Sequence, residues 1–361
     1  MGTRPRSRTA FTVLSLLVAV TLAGCRSGTA RTESSAPVHT VVRTTPPTTI
    51  APPPTTAAAR LVAWHGPVEH LFFHTLVIRP ALAFTHDQLG QGFRDWYVTV
   101  DEFRRILEQM DARGWTLVDI HRAVAGTVRV PPGRKPFVLS EDDVNYYDDT
   151  RPRGVGWKLA LDAHGAVKVE EHVGGTVRLT DHDLVPMVDN FVAHHPEFSA
   201  DGAKGVLAVT GYEGVLGERL QDAASVARAR ALVAALKATG WTFASHSYGH
   251  FDESKNPVAR LVHDSEEWKT QDEPIVGPTD VYVYPFGAGF PTDSPKVAVL
   301  RSFGFTILCD IDIVPRLTRG DGVTIMTRRH VDGVAFDDAP ARLAPFFDVA
   351  TVEDHAARGA G

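Results

Sequence analysis

From residue 60 onward, short apolar runs alternate with helical patterns over most of the chain. The runs are β-branched or aromatic and lack clean polar alternation, which is typical of buried parallel strands. Alternation of such strands with helices favours an α/β barrel or a doubly wound sheet, and no internal repeat is visible. The main strand candidates are residues 136–140, 206–210, 241–245, 280–284, 305–309 and 323–326.

The clearest helix begins at Thr99, because Thr99 and Glu102 fit a capping box. Apolar residues then recur at helical spacing, and Gly114 ends the pattern before a strand at 116–120. Further helices are predicted at 184–193 and 225–239. Residues 150–204 read as an insertion that contains a hairpin at 157–179 and the first of these two helices.

The N-terminal 25 residues have the pattern of an export signal. Arg4, Arg6 and Arg8 precede an apolar run at 11–22, which is too short to span a bilayer comfortably. The run ends in Leu-Ala-Gly-Cys, which resembles the lipobox of bacterial lipoproteins and makes Cys25 the expected lipidation site. A plain secretory peptide is the alternative. Either way, we expect an exported protein, and the lipobox favours anchoring in the cell membrane, facing outside the cytoplasm.

Residues 26–60 are rich in Thr, Pro, Ala and Ser and are expected to form a disordered linker, which leaves 61–361 as the folded domain.

The net charge of −6 argues against binding to nucleic acid, which usually requires a basic excess. Only two cysteines, Cys25 and Cys309, are present, so a disulfide framework and a thiolate metal cluster are both excluded.

Polar residues follow three of the predicted strands. Asp142 and Asp143 follow 136–140, His246 and His250 follow 241–245, and a Pro-Phe-Gly turn follows 280–284. In a parallel α/β fold these strand ends lie on one face. One Asp and two His would give a metal three protein ligands and an open position, as in catalytic zinc sites, while the adjacent Asp could act as a base. Each pattern alone also fits a helix cap, a chance histidine pair or an ordinary turn, but their joint occurrence favours a site.

The order Ser-Glu-Asp-Asp (140–143), His-Ser-Tyr-Gly-His (246–250) and Tyr-Pro-Phe-Gly (284–287) resembles the polysaccharide deacetylase family. This is the NodB-homology group, also called carbohydrate esterase family 4. Leu-Phe-Phe-His at 71–74 is similar to the opening strand of that family. The resemblance covers most of residues 70–332.

The resemblance implies a distorted (β/α) barrel that binds one divalent metal, usually zinc, and removes acetyl groups from an N-acetylated glycan. Carried over by position, Asp143, His246 and His250 would be the metal ligands and Asp142 the general base. The turn Tyr284, Pro285, Phe286 and Gly287 would contact substrate, with a backbone N–H near Phe286 stabilising the negative charge. His74 is a further candidate site residue, with a core histidine as the alternative.

The chain departs from the family pattern in four places. Glu141 stands where an aromatic or apolar residue is usual, and Val144 replaces a glycine. Val283 replaces an arginine that pairs with the base, so Arg328 or Arg329 would have to orient Asp142. The late Leu-x-His motif is not visible, and His330 is the candidate acid at about the right place, with a loop histidine as the alternative.

The leading hypothesis is therefore a membrane-tethered deacetylase that acts on a cell-envelope or extracellular glycan. A barrel that binds glycans without turnover is one alternative, and a glycoside hydrolase using two carboxylates is another. Peptidoglycan, poly-N-acetylglucosamine and an O-acetylated polymer all remain compatible. Several aromatic residues could line a sugar groove, although core packing is the better explanation for each of them: Tyr146, Tyr147, Trp157, Trp268 and Phe290.

Overall fold

A computed structural model describes residues 60–359. The predicted signal peptide, Cys25 and all of the predicted linker except Arg60 lie outside the described residues. Within residues 60–359, no helix combines the length and the apolar character needed to cross a bilayer.

The strands are β1 (Val62–Ala63), β2 (Glu69–Phe73), β3 (Trp115–Leu117), β4 (Arg129–Val130), β5 (Lys135–Glu141), β6 (Lys158–Leu161), β7 (Val167–Val173), β8 (Thr176–Thr180), β9 (Gly205–Val209), β10 (Trp241–Ser245), β11 (Val281–Val283), β12 (Ile307–Ile311), β13 (Leu317–Gly320) and β14 (Val323–His330). The α-helices are α1 (Pro80–Ala83), α2 (Gln88–Trp96), α3 (Val100–Ala112), α4 (Ile120–Ala125), α5 (Leu184–His194), α6 (Ala223–Ala238), α7 (Val258–Gln271), α8 (Glu273–Val276), α9 (Pro295–Ser302), α10 (Gly333–Asp338), α11 (Pro340–Leu343), α12 (Val349–Val352) and α13 (His355–Arg358).

Seven parallel strands close into a barrel in the order β12–β11–β10–β9–β5–β2–β14, and the pairing of β12 with β14 completes the circle. This confirms the predicted distorted (β/α) barrel and excludes the doubly wound sheet. Every strand predicted from an apolar run is present. Two further strands extend the sheet, because β3 pairs with β5 and β13 pairs antiparallel with β14.

The barrel strands are buried on both faces, which explains why their sequences show no polar alternation. In β5, Val138 packs with Ala208, Ala244 and Val283 from other strands in an inner cluster. The next residue, Leu139, belongs to the large outer cluster between barrel and helices. Side-chain alternation along each strand therefore decides which residues reach the barrel interior.

The structure corrects two local predictions. The strand predicted at 116–120 ends at Leu117, because the Asp119 side chain accepts a hydrogen bond from the Arg122 N–H and starts α4. The predicted hairpin in the insertion is a three-stranded antiparallel sheet, β6–β7–β8. Gly174 and Gly175 both have positive φ, so the chain reverses directly after β7 and adds β8.

The predicted capping box of α3 is confirmed and has a second role. Glu102 accepts from the Thr99 N–H at 2.7 Å, and its fully buried carboxylate also forms a bidentate pair with Arg358 at 2.8 and 2.9 Å. The Asp354 N–H donates to the same carboxylate. Glu102 thus joins the start of α3 to the C-terminal segment of the domain.

We expect Glu102→Ala to lower the free energy of unfolding by about 3–5 kcal/mol, because it leaves the Arg358 charge buried and unpaired. Glu108→Ala, on the same helix, removes only an exposed partner of Arg104 and should cost less than about 1 kcal/mol. Denaturant unfolding of both variants measures the difference. Equal effects would contradict the role assigned to Glu102.

Candidate metal centre and active site

Three predicted metal ligands meet where β5 and β10 end at one mouth of the barrel. Asp143, His246 and His250 each offer a ligand atom, and these atoms lie within 4.8 Å of one another. The His250 Nε2 to Asp143 Oδ1 distance is 3.4 Å, and the His246 Nε2 to Asp143 Oδ1 distance is 3.9 Å. Ligand atoms about 2.0–2.1 Å from a tetrahedral zinc lie about 3.3 Å apart, so this donor set fits such an ion with small adjustments.

The backbone around these ligands is held in sparsely populated conformations. Asp143, Ser247 and His250 have φ values of 59°, 58° and 44°, which side chains other than glycine rarely adopt. Such strain persists only where surrounding contacts enforce it, and it is concentrated at functional sites. Here it turns the ligands toward one point at the barrel mouth.

His246 is prepared to act as a ligand through its Nε2 atom. Its Nδ1–H donates to the Val283 carbonyl at 2.8 Å, which fixes the tautomer and leaves the Nε2 lone pair free. Burial lowers the pKa of His246 to about 4, so the imidazole is neutral near pH 7. Burial alone would raise the pKa of Asp143, but His250, His246 and His74 outweigh it and the pKa is about 2. The site thus offers an ionised carboxylate, Asp143, and the neutral Nε2 atom of His246 as ligand atoms for a metal.

Asp142, the predicted base, is paired with Arg328. The Arg328 Nη1 and Nη2 atoms donate to the two Asp142 carboxylate oxygens at 2.6 and 3.0 Å, and both side chains are buried. Of the two arginines considered from the sequence, Arg329 instead pairs with Glu69. Side-chain alternation along β14 explains why Arg328 rather than Arg329 pairs with Asp142, because residues 326 and 328 share the inward face of this strand. Arg328 therefore supplies the cation that Val283 does not.

The pair keeps Asp142 ionised. Burial would raise the pKa of Asp142, but the positive charge of Arg328, with its hydrogen bonds, outweighs that effect and the pKa lies below its ordinary value. Glu141 points the other way, into the outer layer, where both of its carboxylate oxygens lack a partner. Burial, and then the negative charges of Asp183 and Asp142, raise the pKa of Glu141 well above its ordinary range. The two neighbouring carboxyl groups thus have opposite environments.

The two remaining candidate histidines lie at the ends of neighbouring strands. His330 ends β14, and its Nδ1–H donates to the buried carboxylate of Asp332 at 2.9 Å, which leaves Nε2 as the free ring nitrogen. His74 follows β2, and its Nδ1–H donates to the Trp96 carbonyl at 2.9 Å. The Nε2 atom of His74 lies 3.9 Å from the Asp143 Oδ2 atom. His74 is therefore beside the metal-ligand cluster.

The predicted substrate turn, Pro285–Gly287, follows β11 at the same mouth. Phe286 has a φ of 57°, and its largely exposed ring lies 4.9 Å from the His250 ring, centroid to centroid. The Tyr284 side chain is fully buried beside Phe290, so this residue can contribute only its backbone to the turn.

Sequence reasoning missed the group that supports the histidine loop. Asp264, in α7, accepts hydrogen bonds from the Tyr248 and Gly249 N–H groups, both at 2.7 Å. These two residues lie between His246 and His250, so one buried carboxylate holds the ligand loop in place. No local pattern marks Asp264, because it reaches the loop through the packing of a helix.

Comparisons with known proteins were made by sequence and by structure. No family model matches the chain, and no curated protein matches it. Among solved structures, it is similar to a deacetylase from Streptococcus pyogenes in complex with acetate, at 14% identity and a TM-score of 0.46, covering 80% of this chain and 99% of that chain. A polysaccharide deacetylase from Bacillus cereus gives 15% identity and a TM-score of 0.45, covering 78% and 69%. A de-N-acetylase from Aggregatibacter actinomycetemcomitans gives 14% identity and a TM-score of 0.46, covering 78% and 100%.

We expect Asp264→Ala to weaken zinc binding about 10–100-fold, because the loop between the two histidine ligands loses its anchor. Competition titration of the full chain against a chromophoric chelator measures the affinity. Glu266→Gln, at an exposed position of the same helix, is the control and should bind like the parent. Equal affinity in Asp264→Ala would remove this carboxylate from the support of the site.

Asp272 gives a pH-dependent prediction near the same loop. Its carboxylate oxygens are buried without partners, and burial, followed by the negative charge of Asp264, raises its pKa to about 8. The folded state therefore keeps a proton that the unfolded chain releases near pH 4, so this group makes stability fall as pH rises from about 4 to 8.

Asp272→Asn should remove that part of the pH dependence, whereas the exposed control Asp321→Asn should retain it. The check is the free energy of unfolding measured across this pH range for both variants. An unchanged pH profile in Asp272→Asn would contradict the raised pKa.

Proposed function

We propose that this chain is a metal-dependent hydrolase that removes acetyl groups from an N-acetylated glycan. The observation that carries the proposal is the juxtaposition at one barrel mouth of a three-ligand cluster, Asp143, His246 and His250, and a separate carboxylate, Asp142, held ionised by Arg328. A ligand set with an open position beside a positioned base is what hydrolysis of an amide requires.

The proposed chemistry divides between a bound metal and the residues of the chain. Asp143, His246 and His250 would hold a divalent ion, most suitably zinc, which when bound polarises the acetyl carbonyl and lowers the pKa of water. Asp142 accepts the proton of the water that attacks the acetyl carbon. Arg328 fixes the orientation of this carboxylate by its bidentate contact.

The leaving group needs a proton, for which His330 is the proposed donor. The buried Asp332 carboxylate accepts its Nδ1–H and orients the ring, so that Nε2 of the protonated ring can give its proton to the amine as the C–N bond breaks. The Phe286 N–H is the proposed donor to the oxygen that becomes negative. Acetate and a free amino sugar are the products.

We also propose that the protein acts outside the cytoplasm from a lipid anchor at Cys25. The support is the basic, apolar and Leu-Ala-Gly-Cys sequence of the first 25 residues together with the Thr- and Pro-rich segment that follows. Such placement favours a cell-envelope glycan as substrate.

The first test is metal content. The full chain should bind one zinc ion, His246→Ala should lose it, and chelation should abolish acetate release from an N-acetylglucosamine oligosaccharide. Cleavage of the glycosidic bonds of the oligosaccharide that survives complete chelation would favour the two-carboxylate glycoside hydrolase. Absence of bound metal after incubation with zinc would contradict the proposed catalysis.

The second test separates catalysis from binding. Asp142→Asn should retain the metal while acetate release falls about 10²–10⁴-fold, because the water loses its base. Asp321→Asn, with an exposed carboxylate in the turn between β13 and β14, should match the parent. An active Asp142→Asn variant would remove the assigned base. A parent that binds metal and glycan but releases no acetate would be a binding protein on the same fold.

A further inference from the structure

Three aromatic side chains in residues 60–359 are largely exposed, and all three adjoin the candidate site. Trp96 and Tyr212 are each 48% exposed, and Phe286 is 65% exposed. Single exposed apolar residues are common on protein surfaces, but exposed apolar residues that occur together mark binding sites. The common location of these three rings at one barrel mouth points to a ligand with flat apolar faces.

Tyr212 is held rigidly close to the metal-ligand cluster. It follows β9, and its ring stacks on the Tyr147 ring with centroids 5.3 Å apart and planes inclined by 19°. The Tyr147 hydroxyl donates to the Asp143 Oδ1 atom at 2.6 Å. The Tyr212 N–H donates to the Tyr248 carbonyl at 3.1 Å, within the loop of the histidine ligands. A ring bound on Tyr212 would therefore lie next to the reacting centre.

Trp96 lies on the other side of that centre. It ends α2, and its carbonyl accepts from the His74 Nδ1–H directly after β2. In the barrel, β9 and β2 are the two neighbours of β5, the strand that leads into Asp142 and Asp143. Tyr212 and Trp96 consequently belong to segments on opposite sides of the strand that leads into the proposed base and metal ligand.

We propose that Tyr212 and Trp96 are stacking platforms for the sugar units on either side of the one that is deacetylated. This inference rests on the proposed function and specifies its substrate as an internal unit of a glycan chain rather than an N-acetylated monosaccharide or a chain end. The apolar faces of pyranose rings suit flat aromatic surfaces, and the stack on Tyr147 keeps Tyr212 from losing conformational freedom on binding.

The test measures binding and turnover as a function of chain length. The probes are N-acetylglucosamine and its linear oligosaccharides up to the hexamer, titrated calorimetrically into the metal-loaded Asp142→Asn full chain so that turnover does not interfere. Affinity should rise from the monosaccharide to the hexamer. In this Asp142→Asn background, Tyr212→Ala should reduce the increase in affinity from the monosaccharide to the hexamer about tenfold, which corresponds to about 1.4 kcal/mol.

Matched variants separate stacking from general damage. Tyr212→Phe keeps the ring and should keep the gain with length, and Trp96→Ala should lose part of it. Val177→Ala, at an exposed apolar position on β8, should bind like its parent. Metal content is measured on the same preparations, so that a loss of binding caused by a lost ion is recognised.

The outcomes distinguish this inference from the proposed function. Equal affinity of the parent for the monosaccharide and the hexamer would overturn the proposed stacking platforms. Loss of the chain-length dependence of affinity in Val177→Ala as well would also overturn them. Acetate release by the parent without dependence on chain length would overturn them while the hydrolase stands. A length-dependent gain that Tyr212→Ala removes, in a parent that releases no acetate, would support the platforms and contradict the catalysis.

Discussion

The buried pair of Asp142 and Arg328 is the interaction on which the arrangement of the site depends. It joins the end of β5 to β14 inside the barrel, and Arg328 also lies over the Phe72 ring of the strand between them, 4.2 Å from its centroid. Two buried charges are tolerated there because each neutralises the other and the contact is bidentate. Since Arg328 occupies both oxygens of Asp142, the neighbouring Asp143 is the carboxylate left to act as a candidate metal ligand.

The mouth of the barrel is supported from outside as well as from within. Asp264 on α7 holds the histidine loop through two backbone N–H groups, and Tyr147 holds Asp143 through its hydroxyl. The two N–H groups that Asp264 binds lie between Ser247 and His250, which both have positive φ, so this contact helps to hold the strained loop. Tyr212 stacks on Tyr147 and is partly exposed, so it connects the candidate ligand Asp143 with the surface proposed to bind sugars.

The alternation of strands with helices and the position of the candidate metal ligands at strand ends were predictable because they depend on short-range signals. The choice of a barrel over a doubly wound sheet came from the family resemblance. Parallel strands buried on both faces give apolar runs, and polar residues directly after such runs must lie at one edge of the barrel. The hairpin at 157–179 was predicted wrongly as two strands, because the sequence marks the turn at Gly174 and Gly175 but not whether the next strand pairs. The sequence also left open whether Arg328 or Arg329 pairs with Asp142. Closure of the barrel decides this, because it fixes which face of β14 points inward.

The sequence by itself determined the order of strands and helices, the capping of α3, and the identity of the three residues able to ligate a metal, because periodicity, caps and strand-end positions are local properties. Only the tertiary structure decided that Arg328 replaces the missing cation at Val283, that Asp332 orients His330, that Asp264 anchors the histidine loop, and that Tyr212 and Trp96 flank β5. Three of these relations join residues at least 14 positions apart and arise from closure of the barrel or from packing against it, which no local pattern in the chain records. The fourth joins two neighbours, His330 and Asp332, and depends on the backbone turn that leads from β14 into α10.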